Sequence, residues 1–400
     1  MLSVEEYLGR VLSLASVLPA EECPIGTGFG RVLAADLTAR LPVPAFDNSA
    51  MDGFAVRAAD TVGGARLRIV GDVPAGADSA PPVGRGEAVR IMTGAPLPRG
   101  ADAVVPVEDT DQEPGDVPLS AAVSVPATPP GKHVRYRGED VTPGQATLRR
   151  GQRWTPAAAA AAASVGYGTV PLHRRPSVAV VATGSELVPA GGTLGFGQIP
   201  DSNSVLVAGL VEQFGGEVIS AVAVADDADA FRRALAASAR ADVVVTTGGV
   251  SVGAFEVVRH AVEADIEFVK VAMQPGKPQA CGHLRSATGE PQALLALPGN
   301  PVSVFVSAWA FLRPLLATFQ GATADVARGQ YRASEGWATP KGRTQYMPVT
   351  LSGGEARPAH RLGSGSHLIA SLPLAEGLAV VNASVEQVRA GDILDVMVVR

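Results

Sequence analysis

Between residues 176 and 320 short apolar runs alternate with longer stretches of helical period. Val178–Ala182, Val218–Val224, Val243–Thr246, Glu267–Val271 and Ala293–Leu297 read as strands. Asn203–Phe214, closed by Gly215-Gly216, then Ala228–Ser238, Glu256–Ala264 and Pro301–Phe319 read as helices. Such alternation predicts a doubly wound α/β sheet, whose ligands bind beyond the carboxyl ends of the strands. The flanks follow other rules. Residues 1–45 begin with a helix whose N-cap is Ser3 and whose capping-box partner is Glu6, before Pro42 and Pro44 straighten the chain. From Asp47 to about Pro130 only short strands appear: Phe54–Arg57, Arg66–Val70, Ala88–Met92 and Ala103–Val107. Residues 131–172 are mixed, with a helix capped by Thr155-Pro156 and ended by Gly166. After Gly321 short strands and Gly/Pro turns run to the end.

The organisation expected is therefore multidomain, α/β plus β. Residues 1–46 and 131–172 form an elongated mixed α/β segment, interrupted by a β-barrel-like insertion at 47–130. The α/β domain occupies 173–320 and a C-terminal β-barrel 321–400. No internal repeat is visible. Gly26-Thr-Gly-Phe-Gly30 is a poor dinucleotide fingerprint, since no buried strand precedes it and its spacing is wrong.

Three segments put glycine where an apolar strand should end: Asp242–Gly253, Gln274–Pro278 and Leu297–Ser303. In the last, Asn300 is a suitable N-cap and Pro301 fits the first helical position. Free N–H groups and the positive end of that helix make an anion site, and Lys277 adds a charge. The plain alternative is three ordinary turns.

Composition narrows the ligand. Four hundred residues, 46% hydrophobic with mean hydropathy +0.20, exclude a disordered chain and require several domains. A net charge of −6 and a pI near 5.6 argue against nucleic acid, so an anion must be met locally. Cys23 and Cys281 form no disulfide or metal spacing, and the six histidines none either. Glu5, Glu6 and Arg10 break the N-terminus as a signal peptide. Pro291–Leu312 is broken by Pro298–Pro301, and Trp154–Leu172 is Ala-rich with Gly and Pro, so neither predicts the ~20-residue apolar helix that a bilayer needs. A cytoplasmic protein without membrane contact is expected, with Trp154 and Trp309 as packing residues.

Further motifs lie outside the α/β region. Asp47–Phe54 crowds two carboxylates round a turn, and Arg135–Val141 sets two arginines beside adjacent acids. Alone, these are an Asx-turn and a surface salt-bridge cluster. In order with Met92–Pro96, Thr183–Leu187, Gly248–Gly253, Pro275–Pro278, Leu297–Ser303 and Gly365–His367, they resemble the molybdopterin molybdenumtransferase family, the MoeA/gephyrin group, over nearly the whole length.

That resemblance implies four domains, a homodimer with a cleft between subunits, and a reaction of adenylylated molybdopterin with molybdate that inserts molybdenum and releases AMP, with Mg²⁺. It places Asp52, Thr93, Asp140, Glu186 and Glu256 in catalysis. Asp52, Glu186, Asp226 and Glu256 are the implied metal ligands, Mg²⁺ accepting a few carboxylates beside phosphate oxygens. Asp226, Gly248, Gly249, Ser251, Lys270, Lys277, Pro298, Asn300, Pro301, Arg343 and Ser366 face the anionic substrates. Asp226 is equally readable as an N-cap. The chain departs from a typical member at Ser185 (Asp), Glu256 (Asp) and Gln274 (often Lys). Two other readings stay open: a molybdopterin adenylyltransferase, which does not need the Asp47–Gly53 or Arg137–Asp140 motifs, and a scaffold of the gephyrin type. Molybdopterin adenylyltransferase and molybdoenzyme maturation factors are the implied partners.

Overall fold

A computed structural model describes residues 1–115, 117–249, 264–285, 291–324 and 326–399. Its centre is a six-stranded sheet of β1 (Ser177–Thr183), β2 (Glu217–Val224), β3 (Val243–Thr247), β4 (Ala264–Lys270), β5 (Pro278–Arg285) and β6 (Pro291–Leu297). The order is β2-β1-β3-β6-β5-β4. β2, β1, β3 and β6 are parallel, while β5 runs antiparallel to both neighbours. The sheet is thus mixed, and β5 is absent from the sequence-based strand set.

Burial on both faces explains why β1, β3 and β6 read as continuous apolar runs. Val178, Val180, Val243, Val245, Leu295 and Leu297 face one core cluster, which contains helix Pro301–Phe319. Ala179, Val181, Val244 and Leu294 face another, with Phe231 of helix Ala228–Ala237. All five residues of β3 are buried. The predicted helix Asn203–Phe214 ends at Gln213, with Phe214 as C-cap. Of the predicted helix Glu256–Ala264, residues 256–263 lie outside the described residues, and Ala264 opens β4 instead.

Pro291–Leu312 is broken as expected, a strand ending at Leu297 and a helix, Pro301–Phe319, beginning after the turn. That helix is 19 residues long and, by length and composition, apolar enough to cross a bilayer, yet most of it is buried inside the protein. A π turn at Ala308–Leu312 interrupts it just before Pro314, which lacks the N–H for the carbonyl four residues back. Trp309 is buried in this helix, and Trp154 is buried in a separate cluster between residues 23 and 172.

Short ladders tie the N-terminal segment to residues 134–173. Ala20–Pro24 pairs with Thr169–His173, Leu37–Thr38 with Ala146–Leu148, and Asn48–Ser49 with Val134–Arg135. Helix Val4–Leu12 has the capping box read from Ser3 and Glu6. Between these ladders lies a five-stranded sheet that, among the described residues, does not close by pairing, its outer strands being Ala103–Pro106 and Ala122–Val125. Pro106 ends the first of these and has no donor to extend the ladder. The C-terminal strands do close: Arg328–Ala333, Glu355–Pro358, Thr344–Ser352, Gly377–Val381 and Ile393–Val398 pair in a ring.

Candidate functional site

A cleft of about 800 Å³ opens at the carboxyl ends of β1, β3 and β6, where the parallel strands deliver their loops. Its floor is glycine by necessity. Gly248 and Gly249 both take left-handed φ, +84° and +65°. A Cβ on Gly248 would stand 2.5 Å from the Thr183 carbonyl oxygen, and Gly299 packs against the Gly248 Cα. The backbones of β1, β3 and β6 therefore converge without side chains between them. Pro298, Gly299, Asn300 and Pro301 form the adjoining wall, leading into a helix whose first available N–H, that of Val302, donates to the Ser366 carbonyl at 3.1 Å. Asn300 makes no side-chain cap of its own helix. Its Nδ2 donates instead to Ser366 Oγ at 2.9 Å. Asn203 Nδ2 holds the turn from the other side by donating to the Gly299 carbonyl at 2.6 Å.

Two carboxylates, Glu186 and Asp226, enter from the loops after β1 and β2. Their loops are cross-linked: the Ser185 N–H donates to Asp226 Oδ2 at 3.2 Å, and the Asp226 N–H donates to Ser185 Oγ at 3.1 Å. The N-cap of the following helix is Asp227, which accepts from the Ala230 N–H at 2.7 Å. Asp226 is thereby released from the capping role that the sequence allowed it. The Glu186 carboxylate folds back over Gly184, where a Cβ would meet its oxygens at 2.8 Å.

The third wall comes from elsewhere in the chain. Met273–Gln274 pairs with Thr344–Gln345 of the C-terminal barrel, which brings Arg343 and the Ser364–His367 loop to the cleft. Lys277 lies opposite, exposed, in the turn that begins with the cis Gln274–Pro275 bond. Cations and main-chain donors thus share one opening with the carboxylates of Glu186 and Asp226.

Asp52, Thr93 and Asp140 are not in this cleft. They belong to a second assembly, where the three N-terminal motifs meet. Asn48–Ser49 pairs with Val134–Arg135, and the Gly94 N–H donates to the Ser49 carbonyl at 2.8 Å. The Arg137 N–H donates to Asp47 Oδ1 at 2.7 Å. Asp52 Oδ1 accepts from the Thr93 N–H at 2.6 Å and from its hydroxyl at 2.7 Å, and these bonds hold the Asp52 carboxyl below its ordinary pKa. Asp140 is exposed, its N–H donating to the Val43 carbonyl. The salt-bridge alternative for Arg135–Val141 finds no support among the described residues: Glu139 instead accepts the Tyr136 N–H at 2.8 Å.

Of the other residues singled out in the sequence, Ser251 and Glu256 lie outside the described residues. Lys270 ends β4 with an exposed side chain and does not line the cleft. Sequence reasoning missed Asp201, Ser202, Asn203, Thr247 and His367, all of which line it. Asp201-Ser-Asn203 precedes a helix and offered a capping signal; Thr247 and His367 sat beside residues already chosen. Among the described residues no three His, Cys, Asp or Glu side chains cluster as a ready metal site. Glu186 and Asp226 do suit a cation that takes one or two carboxylates and completes its shell with water and phosphate.

Known proteins resemble this chain in sequence and fold. Residues 2–166 match the MoeA N-terminal region (domain I and II), 179–318 a probable molybdopterin binding domain, and 330–399 the MoeA C-terminal region (domain IV). The chain is 40% identical to molybdopterin molybdenumtransferase 2 of Mycobacterium tuberculosis H37Rv, covering 99% of both chains. It is 39% identical to molybdopterin molybdenumtransferase of Haemophilus influenzae, over 80% of this chain and 78% of that one. A crystal structure of a molybdopterin biosynthesis moeA protein from Pyrococcus horikoshii superposes with TM-score 0.83 at 31% identity, covering 100% of this chain and 99% of the other.

Proposed function

The chain belongs to the molybdopterin molybdenumtransferase family, and from that membership we propose that it joins molybdate to adenylylated molybdopterin and releases AMP. It is a transferase of molybdenum cofactor biosynthesis. The observation that carries the specific reaction is the mixed character of the cleft: main-chain donors, Lys277 and Arg343 share about 800 Å³ with the carboxylates of Glu186, Asp201 and Asp226.

The substrate's pyrophosphate suits the Gly248–Gly249 backbone. Lys277, Arg343 and Ser366 suit the tetrahedral oxyanion, with charge-assisted hydrogen bonds from the two cations and a hydroxyl from Ser366. Asn203 and Ser366 hold the Pro298–Pro301 turn in place beside the cleft. Glu186 and Asp226 would hold Mg²⁺, which supplies charge neutralisation at the phosphate oxygens when bound.

The Asp52–Thr93 and Asp140 assembly belongs to the same reaction through a homodimer, in which one protomer's N-terminal motifs approach its partner's cleft. The motifs share no lining residue with the cleft of their own chain, which favours that reading. The protein acts in the cytoplasm, takes its substrate from a molybdopterin adenylyltransferase and hands its product to molybdoenzyme maturation factors.

Incubating the purified protein with adenylylated molybdopterin, Mg²⁺ and molybdate tests the reaction. AMP release that depends on molybdate is expected. Binding without AMP release would leave a scaffold, and adenylylation of molybdopterin from ATP would reassign the chain to the preceding step. A monomer by light scattering at micromolar concentration would overturn the shared site.

A further inference from the structure

We infer that Ser185 is a positioning residue for Asp226, presenting that carboxylate to the cleft; this rests on the transferase reading of the same cleft. The two residues close a ring of two hydrogen bonds, at 3.2 and 3.1 Å, between loops 41 residues apart in sequence. The ring continues the β1–β2 ladder beyond its last paired residues, Thr183 and Val224, through the Gly184 N–H to the Val224 carbonyl at 3.0 Å. On the far side, the Asp227 N–H donates to the Ala225 carbonyl at 2.7 Å, and Asp227 caps the next helix. Asp226 is therefore gripped before and after itself.

Its two oxygens become inequivalent. Oδ2 accepts from the Ser185 amide, while Oδ1 takes no hydrogen bond among the described residues and remains for a ligand. Any residue but proline at 185 offers an amide. Only a side chain with an acceptor oxygen can receive the Asp226 N–H, which fixes the backbone that carries the carboxylate. Ser185 supplies that acceptor without adding a charge beside Glu186 and Asp226.

Both residues are exposed, so the ring contributes little to folding, water replacing what is lost. Its consequence is geometric, and the two roles separate experimentally. Ser185→Ala should melt with the native protein yet lose about three- to tenfold in kcat/KM for AMP release, the worth of one hydrogen bond. Ser185→Thr, which keeps an acceptor oxygen, should restore the rate. In an Asp226→Asn background Ser185→Ala should add nothing, because the path through Asp226 is already gone.

Ser185→Ala at the native rate would overturn the inference, and so would losses that add in the double variant. Crystal structures of the native and Ser185→Ala proteins give a readout independent of activity. A displaced Asp226 carboxylate is expected, and an unmoved one refutes the positioning role. If the native protein itself releases no AMP, the reaction assignment fails, and the crystal structures still decide the role of Ser185.

Discussion

Gly248→Ala tests the claim that the cleft floor must be bare backbone. At φ +84° an alanine pays the left-handed penalty, about 1–2 kcal/mol. Its Cβ would also stand 2.5 Å from the Thr183 carbonyl oxygen. That atom belongs to the end of β1, between the neighbours β2 and β3, and cannot swing aside as a flexible side chain would. Relieving the contact must displace the Gly248 loop or the end of the strand, so the total cost should be about 2–3 kcal/mol. For a unit of roughly 150 residues this lowers the melting transition by about 4–12 °C. Because the displaced loop is the proposed phosphate cradle, molybdate-dependent AMP release should fall more steeply than stability. Gly299→Ala is the control: its Cβ would meet the Gly248 Cα at 3.5 Å, an ordinary contact, and φ there is not left-handed. Calorimetry with an AMP-release assay checks both variants. A Gly248→Ala protein that melts within a degree of the native one and keeps full activity would refute the reasoning.

Lys277→Ala should leave the fold intact, because the side chain is exposed, and weaken molybdate or substrate binding about tenfold to a hundredfold, as measured by calorimetric titration. Arg174→Ala should cost about 1.5–3 kcal/mol in urea unfolding, because Asp242 loses a two-pronged partner at 2.6 and 2.7 Å while keeping only Ser177. Burial alone would raise the Asp242 pKa, but the Arg174 and Ser177 bonds outweigh it and leave it lowered. That stability is present above the ordinary carboxylate range and is lost as pH falls through the depressed value, so Asp242→Asn should flatten the acid limb of stability against pH. Asp52→Asn keeps an oxygen for Thr93 but removes the charge; it should fold normally and slow AMP release at saturating molybdate, and full activity would return Asp52 to the turn.

The central strands were legible because burial on both faces forces a run such as Val243–Thr247 to be apolar throughout. Ser3-Val-Glu-Glu6 was legible for a local reason: a capping box closes within four residues. β5 was not. It opens on Pro278 and carries Gln279, Gly282 and His283, which no strand pattern favours. Gln279 is nonetheless buried because its Nε2 donates to the Gly276 carbonyl and to Ser307 Oγ, a partner 28 residues away. Distant partners of that kind override local propensity, and a single sequence does not display them.

The site follows the same division. Gly248, Gly249 and Pro301 were readable because each answers a backbone demand that the residue itself advertises, whereas Asn300 takes the N-cap position but turns its side chain to Ser366. Asp226 and Asp227 were not separable, since both are adjacent carboxylates before a helix and only the fold decides which one caps it. The Asp226 assignment turns on Ser185, whose hydroxyl meets the Asp226 amide only after β1 and β2 have paired. The C-terminal wall depends on two residues against two, Met273–Gln274 beside Thr344–Gln345, a pairing too short to have its own signature. Chemistry carried by one loop was therefore visible in advance. Chemistry made by two loops had to wait for the contact that joins them.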